Sequence, residues 1–332
     1  MNVLVTGASG MLGGAVANLL IERGHEVTSF QRGVTPPHAA SQAAVIRGSV
    51  ADPAVVSAAV AGQDAVIHMA AKVSFTGEWS EFVSTNIEGT RNVIAACREH
   101  GVRDLVFVSS PSVAHLGTSI AGVGADVADP EHARGFYACS KAQAELEALA
   151  ADSEELRVCA LRPHIVWGPG DTQLVERVID RAAHGRLPLL DGGRALIDTT
   201  FVDNAAEAIV RGLERMDHVH GQALVITNGE PRPVAEMIAG ICAAANVPTP
   251  RMDVPGGVAR VAGRVVEKLW LEGLKRGWVH DEPPMTEFLA EQLSTSHWFD
   301  QRKTHELLDW TPSVSIDEGF ARLAQHYGNR GQ

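Results

Sequence analysis

Two rhythms of apolar residues alternate through the first half of the chain. Short apolar segments at Val3–Val5, His25–Phe30, Ala44–Arg47 and "DAVIHMAA" from Asp64 have the length of buried strands. Between them lie stretches with helical spacing: Ala15–Arg23 stopped by Gly24, Pro53–Ala61, and "TNIEGTRNVIAACREHG" closed by Gly101. "DLVFVSS" reads as a fifth strand ending at Ser110, followed by a helix from about Tyr137 to Ala150 and a sixth strand over Val158–Arg162. Strands alternating with helices of this length predict βαβ crossovers and an α/β fold, a doubly wound parallel sheet of the Rossmann type. After Gly168 the rhythm loosens, proline and glycine gather at Pro169, Pro188, Gly192 and "NGEPRP", and helices dominate. The pattern predicts a dinucleotide-binding unit over 1–166 and 196–228. A smaller, mainly helical substrate-binding unit is expected over 167–195 and 229–332, above the carboxyl ends of the strands.

The turn after the first strand carries Gly7, Gly10 and Gly13. Glycines there let the chain turn tightly, let a phosphate approach the backbone, and let the helix pack closely, while the helix start offers free N–H groups. Glycines also mark ordinary loops; the position directly after the first strand is what favours a nucleotide. An acid about twenty residues further on would hold the ribose 2′-OH of NAD, but the second strand ends "TSFQRG". Arg32 stands there instead, suited to a 2′-phosphate, so NADP(H) is the expected cofactor. The alternative is a solvated arginine in a turn.

"YACSK" sets Tyr137 and Lys141 four residues apart on one helix face, in a chain with only two tyrosines. A phenol with a pKa near 10 exchanges protons poorly at neutral pH, and a neighbouring ammonium favours its phenolate. Ser110 ends the fifth strand on the side where such sheets bind ligands; its hydroxyl suits a substrate oxygen. Ser109 and Ser112 compete for that role, and the Tyr–Lys pair has a plain alternative as a surface pair.

The remaining composition mainly excludes. With 332 residues, 45% hydrophobic, and a net charge of −12, the chain holds a sizeable core and lacks a basic footprint for nucleic acid. Cys97, Cys139, Cys159 and Cys242 are scattered without metal-ligand spacing, so no metal is expected, and reduced thiols fit a cytoplasmic protein. The opening on a strand leaves no room for a signal peptide, and no apolar run approaches the ~18 residues of a membrane span.

TGxxGxxG from Thr6, the "HMAA" strand end, "NIEGT", the serine, YxxxK and "LRPHIVWGPGD" together resemble the extended short-chain dehydrogenase/reductase family, over essentially the whole chain. The resemblance implies a catalytic triad of Ser110, Tyr137 and Lys141. It assigns to the cofactor Gly7, Ser9, Gly10, Met11, Leu12 and Gly13, then Arg32, Ser49 and Val50. Ala70, Ala71, Lys72, Asn86, Ser109, Tyr137, Lys141, Pro163, His164 and Ile165 complete that set. Ser49 departs from the pattern, since relatives often carry an aspartate there against the adenine. Within the family, nucleotide-sugar epimerases tend to hold an arginine where this chain has Ile197, just before Asp198. "DTTFVDN" resembles the 3β-hydroxysteroid dehydrogenase branch instead, and "HEVTSFQRG", "TNGEP" and "MTEFLAEQLSTSHWF" resemble bacterial 2-alkyl-3-oxoalkanoate reductases of olefin biosynthesis. The implied activity is NADPH-dependent reduction of a hydrophobic β-keto acid. The alternatives are a steroid or sterol-carboxylate dehydrogenase, an epimerase, and a non-catalytic NADP-sensing protein.

One segment stands outside this account. In "GGVARVAGRVVEKLWLEGLKRGW", Val258, Val261, Ala262, Val265, Val266 and Leu269 form one apolar stripe, while Arg260, Arg264 and Lys268 recur on another face and Trp270 and Trp278 lie at or beyond the end. The stripe is expected to pack over the active site. It leaves open a lining for the entrance of long alkyl chains, docking on a partner enzyme, and contact with a membrane surface. A homodimer is also open.

Overall fold

The computed structural model describes residues 1–33, 43–74, 76–115, 117–275 and 287–330. Seven strands form one sheet: β1 (Asn2–Thr6), β2 (Glu26–Gln31), β3 (Ala44–Arg47), β4 (Ala65–His68), β5 (Asp104–Val108), β6 (Arg157–Pro163) and β7 (Ala223–Ile226). Their order is β3-β2-β1-β4-β5-β6-β7, all parallel. This is the expected doubly wound sheet, with its direction reversing between β1 and β4.

Alternate residues of each strand serve opposite faces. Val3, Val5, Ile67, Val106 and Leu161 pack on helices α1 (Met11–Glu22) and α5 (Val202–Glu214). Leu4, Val66, Leu105 and Phe107 pack on α2 (Pro53–Val60), α3 (Gly89–His100) and α4 (Gly135–Ala150). Burial on both faces explains why the strands read as apolar runs rather than alternating patterns.

The boundaries differ where glycine enters a helix. α1 begins at Met11, four residues before the apolar periodicity, because Gly13 and Gly14 lie buried in its first turns. Glycine is a poor helix former, so its presence there reflects close packing. A π-helical turn, Val83–Glu88, precedes α3 within the segment read as one helix.

The chain leaves β6 directly into a second layer. Val166–Trp167 pairs with Thr200–Phe201, and a small sheet joins Ile120–Val123, His297–Phe299, Leu196–Ile197 and Arg232–Pro233. Helices Val175–Ala183, Val234–Ala244 and Ile316–Arg330 close a separate core around Trp167, Phe201 and Ile238. Among the described residues no helix is long and apolar enough to cross a membrane.

The helix Gly256–Lys275 departs from its expected packing. Its described buried positions are the small ones, Gly256, Ala259, Gly263 and Gly273, and the helix packs on the helix Glu287–Ser294. A Cβ at Gly256 would stand 2.9 Å from Ser294 Cβ and closer still to the Asp191 carboxylate, so only glycine allows this approach. Val258, Val261, Val265 and Leu269 face outward, between 52% and 68% exposed. The stripe therefore does not pack over the site; Trp278 lies outside the described residues.

One buried ion pair braces the sheet against α4. Arg162 donates through Nε to Glu145 Oε2 at 2.9 Å, makes a second contact to Glu145 Oε1, and donates through Nη1 to the Asp126 carbonyl at 2.8 Å. Both side chains are almost fully buried. Removing one partner leaves the other charge stranded, which costs about 3–5 kcal/mol. Glu145→Ala should therefore lose roughly that much stability in urea unfolding, whereas a loss under about 1 kcal/mol would show that water or the Asp126 carbonyl suffices for Arg162.

Candidate active site

The residues assigned to a nucleotide follow the carboxyl ends of β1, β2, β3, β4, β5 and β6. Gly7 turns the chain at φ +77° directly after β1. A Cβ there would meet Ala70 N at 3.0 Å, and one at Gly13 would stand 2.3 Å from the Gly7 carbonyl oxygen. At Gly10 the nearest atom would be 3.6 Å away, so this position stays open for close approach from outside. No side chain caps Gly10 at the start of α1, which leaves the first N–H groups of the helix, from Met11, Leu12 and Gly13, available to an anion. Ser9 completes the turn, with Gly33 alongside: a Cβ on Gly33 would lie 3.9 Å from Ser9 Oγ. Exposed Arg32 thus stands beside the glycine turn. Ser49 follows β3, its hydroxyl accepting from Ala51 N at 3.2 Å, and Val50 is buried against Gly89.

Behind this rim runs a buried polar chain. The Thr6 hydroxyl accepts from Met69 N and Ala70 N, each at 3.0 Å, and so has its proton for His68 Nδ1 at 2.7 Å. His68 Nε2 then donates to Thr90 Oγ1 at 3.1 Å, and Thr90 donates to the Asn86 carbonyl at 2.6 Å. Burial, with Lys141 nearby, pushes His68 down to about 3, so it is a neutral connector. The Asn86 side chain accepts from Lys72 N at 2.7 Å and donates to Ser140 Oγ at 2.9 Å, tying the segment after β4, which holds Ala71, to α4.

Tyr137 and Ser110 stand together on the wall of one cavity, and Ser110 draws the phenol toward its ionised form. Ser110 Oγ also lies 2.9 Å from Ser112 Oγ, and both serines line that cavity with Tyr137. Ser109 is buried, with no partner for its hydroxyl among the described residues, and is not among those lining that cavity. Of the three serines, Ser110 is the one set against the phenol. Lys141 Nζ donates to the Val108 carbonyl at 2.8 Å and sits 4.0 Å from the centre of the Phe107 ring. Burial lowers it to about 7 although Glu145 pulls it up, whereas burial raises the Tyr137 phenol and Ser110 pulls it down. Protein groups alone therefore do not produce the depressed phenol anticipated from the Tyr–Lys spacing. A group that makes the phenolate favourable has to add positive charge.

The cavity measures about 380 Å³. Ile165, held at φ +42° after Pro163, lines it; that conformation is strained for a β-branched residue and marks an imposed bend. Ile197, Leu174, Val178, Ile238 and Phe299 make most of the wall apolar. Its cations are Arg177 and Arg181, one turn apart on Val175–Ala183, and no carboxylate is among its described lining residues. His115, His164 and His297 add three buried imidazoles; His115 Nε2 and His297 Nε2 lie 3.0 Å apart, and burial is the main cause pushing His164 to about 4 and His297 to about 3. The sequence reading missed Arg177, Arg181, His115 and His297. Periodicity marks the two arginines as one helix face, while nothing local connects histidines 182 residues apart. None of the described residues of Gly256–Lys275 lines the cavity.

The model of the NAD dependent epimerase/dehydratase family matches residues 3–227. A 2-alkyl-3-oxoalkanoate reductase from Stenotrophomonas maltophilia is 43% identical, over 97% of this chain and 98% of its own length. A 3-beta-hydroxysteroid dehydrogenase from Mycolicibacterium neoaurum is 29% identical over 98% of this chain and 91% of its own. Among solved structures, a UDP-glucuronic acid 4-epimerase from Bacillus cereus in complex with NAD superimposes with a TM-score of 0.74. It is 19% identical, over 98% of this chain and all of its own, and shares the fold.

Lys141 ties pH to stability. Its folded pKa, about 7, lies below the ordinary 10.5 of the unfolded chain. Between these values the unfolded chain holds a proton that the folded chain releases, so rising pH favours the fold. Without added cofactor, the Tm of the wild-type protein should climb relative to Lys141→Met from about pH 7 to about pH 9. A constant difference across that range would show that Lys141 stays protonated.

Proposed function

This chain belongs to the NAD dependent epimerase/dehydratase family and is an oxidoreductase acting on CH–OH or keto groups with a nicotinamide cofactor, and we propose that it reduces the 3-keto group of a hydrophobic β-keto acid, a 2-alkyl-3-oxoalkanoate, with NADPH. The observation that carries this reading is the cavity: mostly apolar, two arginines, no carboxylate among its described lining residues, and Ser110 and Tyr137 together on its wall. Apolar walls suit alkyl chains, and the arginines suit a carboxylate. Ile197, in place of an arginine gripping a diphosphate, weighs against a nucleotide sugar.

When bound, NADPH supplies a hydride to C3. The Ser110 hydroxyl holds the carbonyl oxygen and stabilises the charge that gathers on it. Tyr137 delivers a proton to the same oxygen, completing the alcohol. Lys141, in its protonated form, favours the phenolate that remains, together with the positive charge of the oxidised ring. The product is a 2-alkyl-3-hydroxy acid, which suits a step of olefin biosynthesis. The relationship to a steroid dehydrogenase supports a second reading, oxidation of a 3β-hydroxysteroid or sterol carboxylate.

NADPH oxidation with a synthetic 2-alkyl-3-oxoalkanoate, beside a 3-ketosteroid, decides between them; turnover of the steroid alone would overturn the reductase reading. Tyr137→Phe should lower turnover at least ~100-fold with cofactor binding retained, and Ser110→Ala about as much. A large effect of Ser112→Ala beside a small one of Ser110→Ala would reassign the hydroxyl. NADP(H) should bind about tenfold more tightly than NAD(H), a difference of ~1.4 kcal/mol within reach of one charge-assisted pair. Arg32→Ala should erase most of this preference in direct titration, and equal affinities in the wild-type protein would reject it.

A further inference from the structure

We propose that the helix Gly256–Lys275 docks this protein on an anionic lipid surface. Val258, Val261, Val265 and Leu269 stand outward at 60%, 62%, 52% and 68% exposure, in one continuous line along the helix. Isolated exposed apolar residues are ordinary, but a row of four large ones on one face is the form of an interaction surface. The opposite side of the helix is already committed, through Gly256, Ala259 and Gly263, to the helix Glu287–Ser294. The outward stripe therefore stands apart from the contact that seats this helix.

Charge identifies the occupant. Arg260, Arg264 and Lys268 recur every four residues along one edge of the stripe. With Lys275 they outnumber the helix acids, Glu267 and Glu272, by two, in a chain whose net charge is −12. A basic edge beside an apolar stripe is the pattern of a helix lying in the headgroup region of an anionic bilayer. A second copy of this chain fits less well, because a two-fold interface would set one net-positive helix against another. The location fits a lipid as well: the supporting helix Glu287–Ser294 contributes Gln292 and Leu293 to the cavity wall, so docking leaves one helix between that wall and the bilayer.

Vesicle co-sedimentation of the full chain tests this without measuring turnover, so its outcome is independent of the substrate reading. The protein should associate with vesicles of phosphatidylglycerol and phosphatidylcholine in equal parts, and about tenfold more weakly with pure phosphatidylcholine. Val261→Asp combined with Val265→Asp should weaken association about tenfold, and so should Arg260→Glu combined with Arg264→Glu. The urea midpoints should stay at the wild-type value, since the valines are exposed. Absence of association, association unchanged in both variants, or a concentration-dependent dimer that dissociates in the valine variant would each overturn the proposal.

Discussion

A parallel sheet buried on both faces joins its strands by crossovers, usually through a covering helix. Every segment that leaves a strand then emerges at the same edge. Gly7, Ala70, Ser109, Ser110 and Pro163, spread over nearly half the chain, share a neighbourhood for that reason. The second layer rests on this edge, and the cavity is the space the two leave between them. The site is a consequence of how the core is buried.

Burial also sets its electrostatics. Lys141 is enclosed, its ammonium set on the Val108 carbonyl and the Phe107 ring, and both the lysine and the Tyr137 phenol are displaced toward their neutral forms. The same Lys141–Val108 contact holds α4 on the end of β5, where Ser110 follows two residues later. One hydrogen bond thus positions the helix that presents Tyr137 and places an amine whose charge responds readily to what lies beside it. His68 makes the complementary choice: fully enclosed and neutral, it links Thr6 at the glycine turn to the turn bearing Asn86.

The Gly256–Lys275 helix obeys a different constraint. Helices approach most closely where side chains are smallest, and a glycine–alanine face against Glu287–Ser294 allows contact that a valine face would prevent. Apolar periodicity identifies two faces of such a helix without saying which one meets the core. Here close packing outweighed apolar area, and the larger side chains face outward.

Local patterns in the sequence by themselves determined the alternation of strands and helices, the parallel sheet, the glycine turn and the Tyr137–Lys141 pair. Each depends on residues within one turn or one strand of each other, where steric and hydrogen-bonding rules act directly. Tertiary structure decided which of three neighbouring serines share the cavity wall with the phenol, Ser110 and Ser112 but not Ser109, because that depends on how α4 seats on β5. It also brought His115 to His297 and turned Arg177 and Arg181 toward Ser110's cavity, contacts set by the packing of the second layer. Side-chain direction, burial and the resulting charge states arise only when distant segments exclude water together, and no local pattern encodes that exclusion.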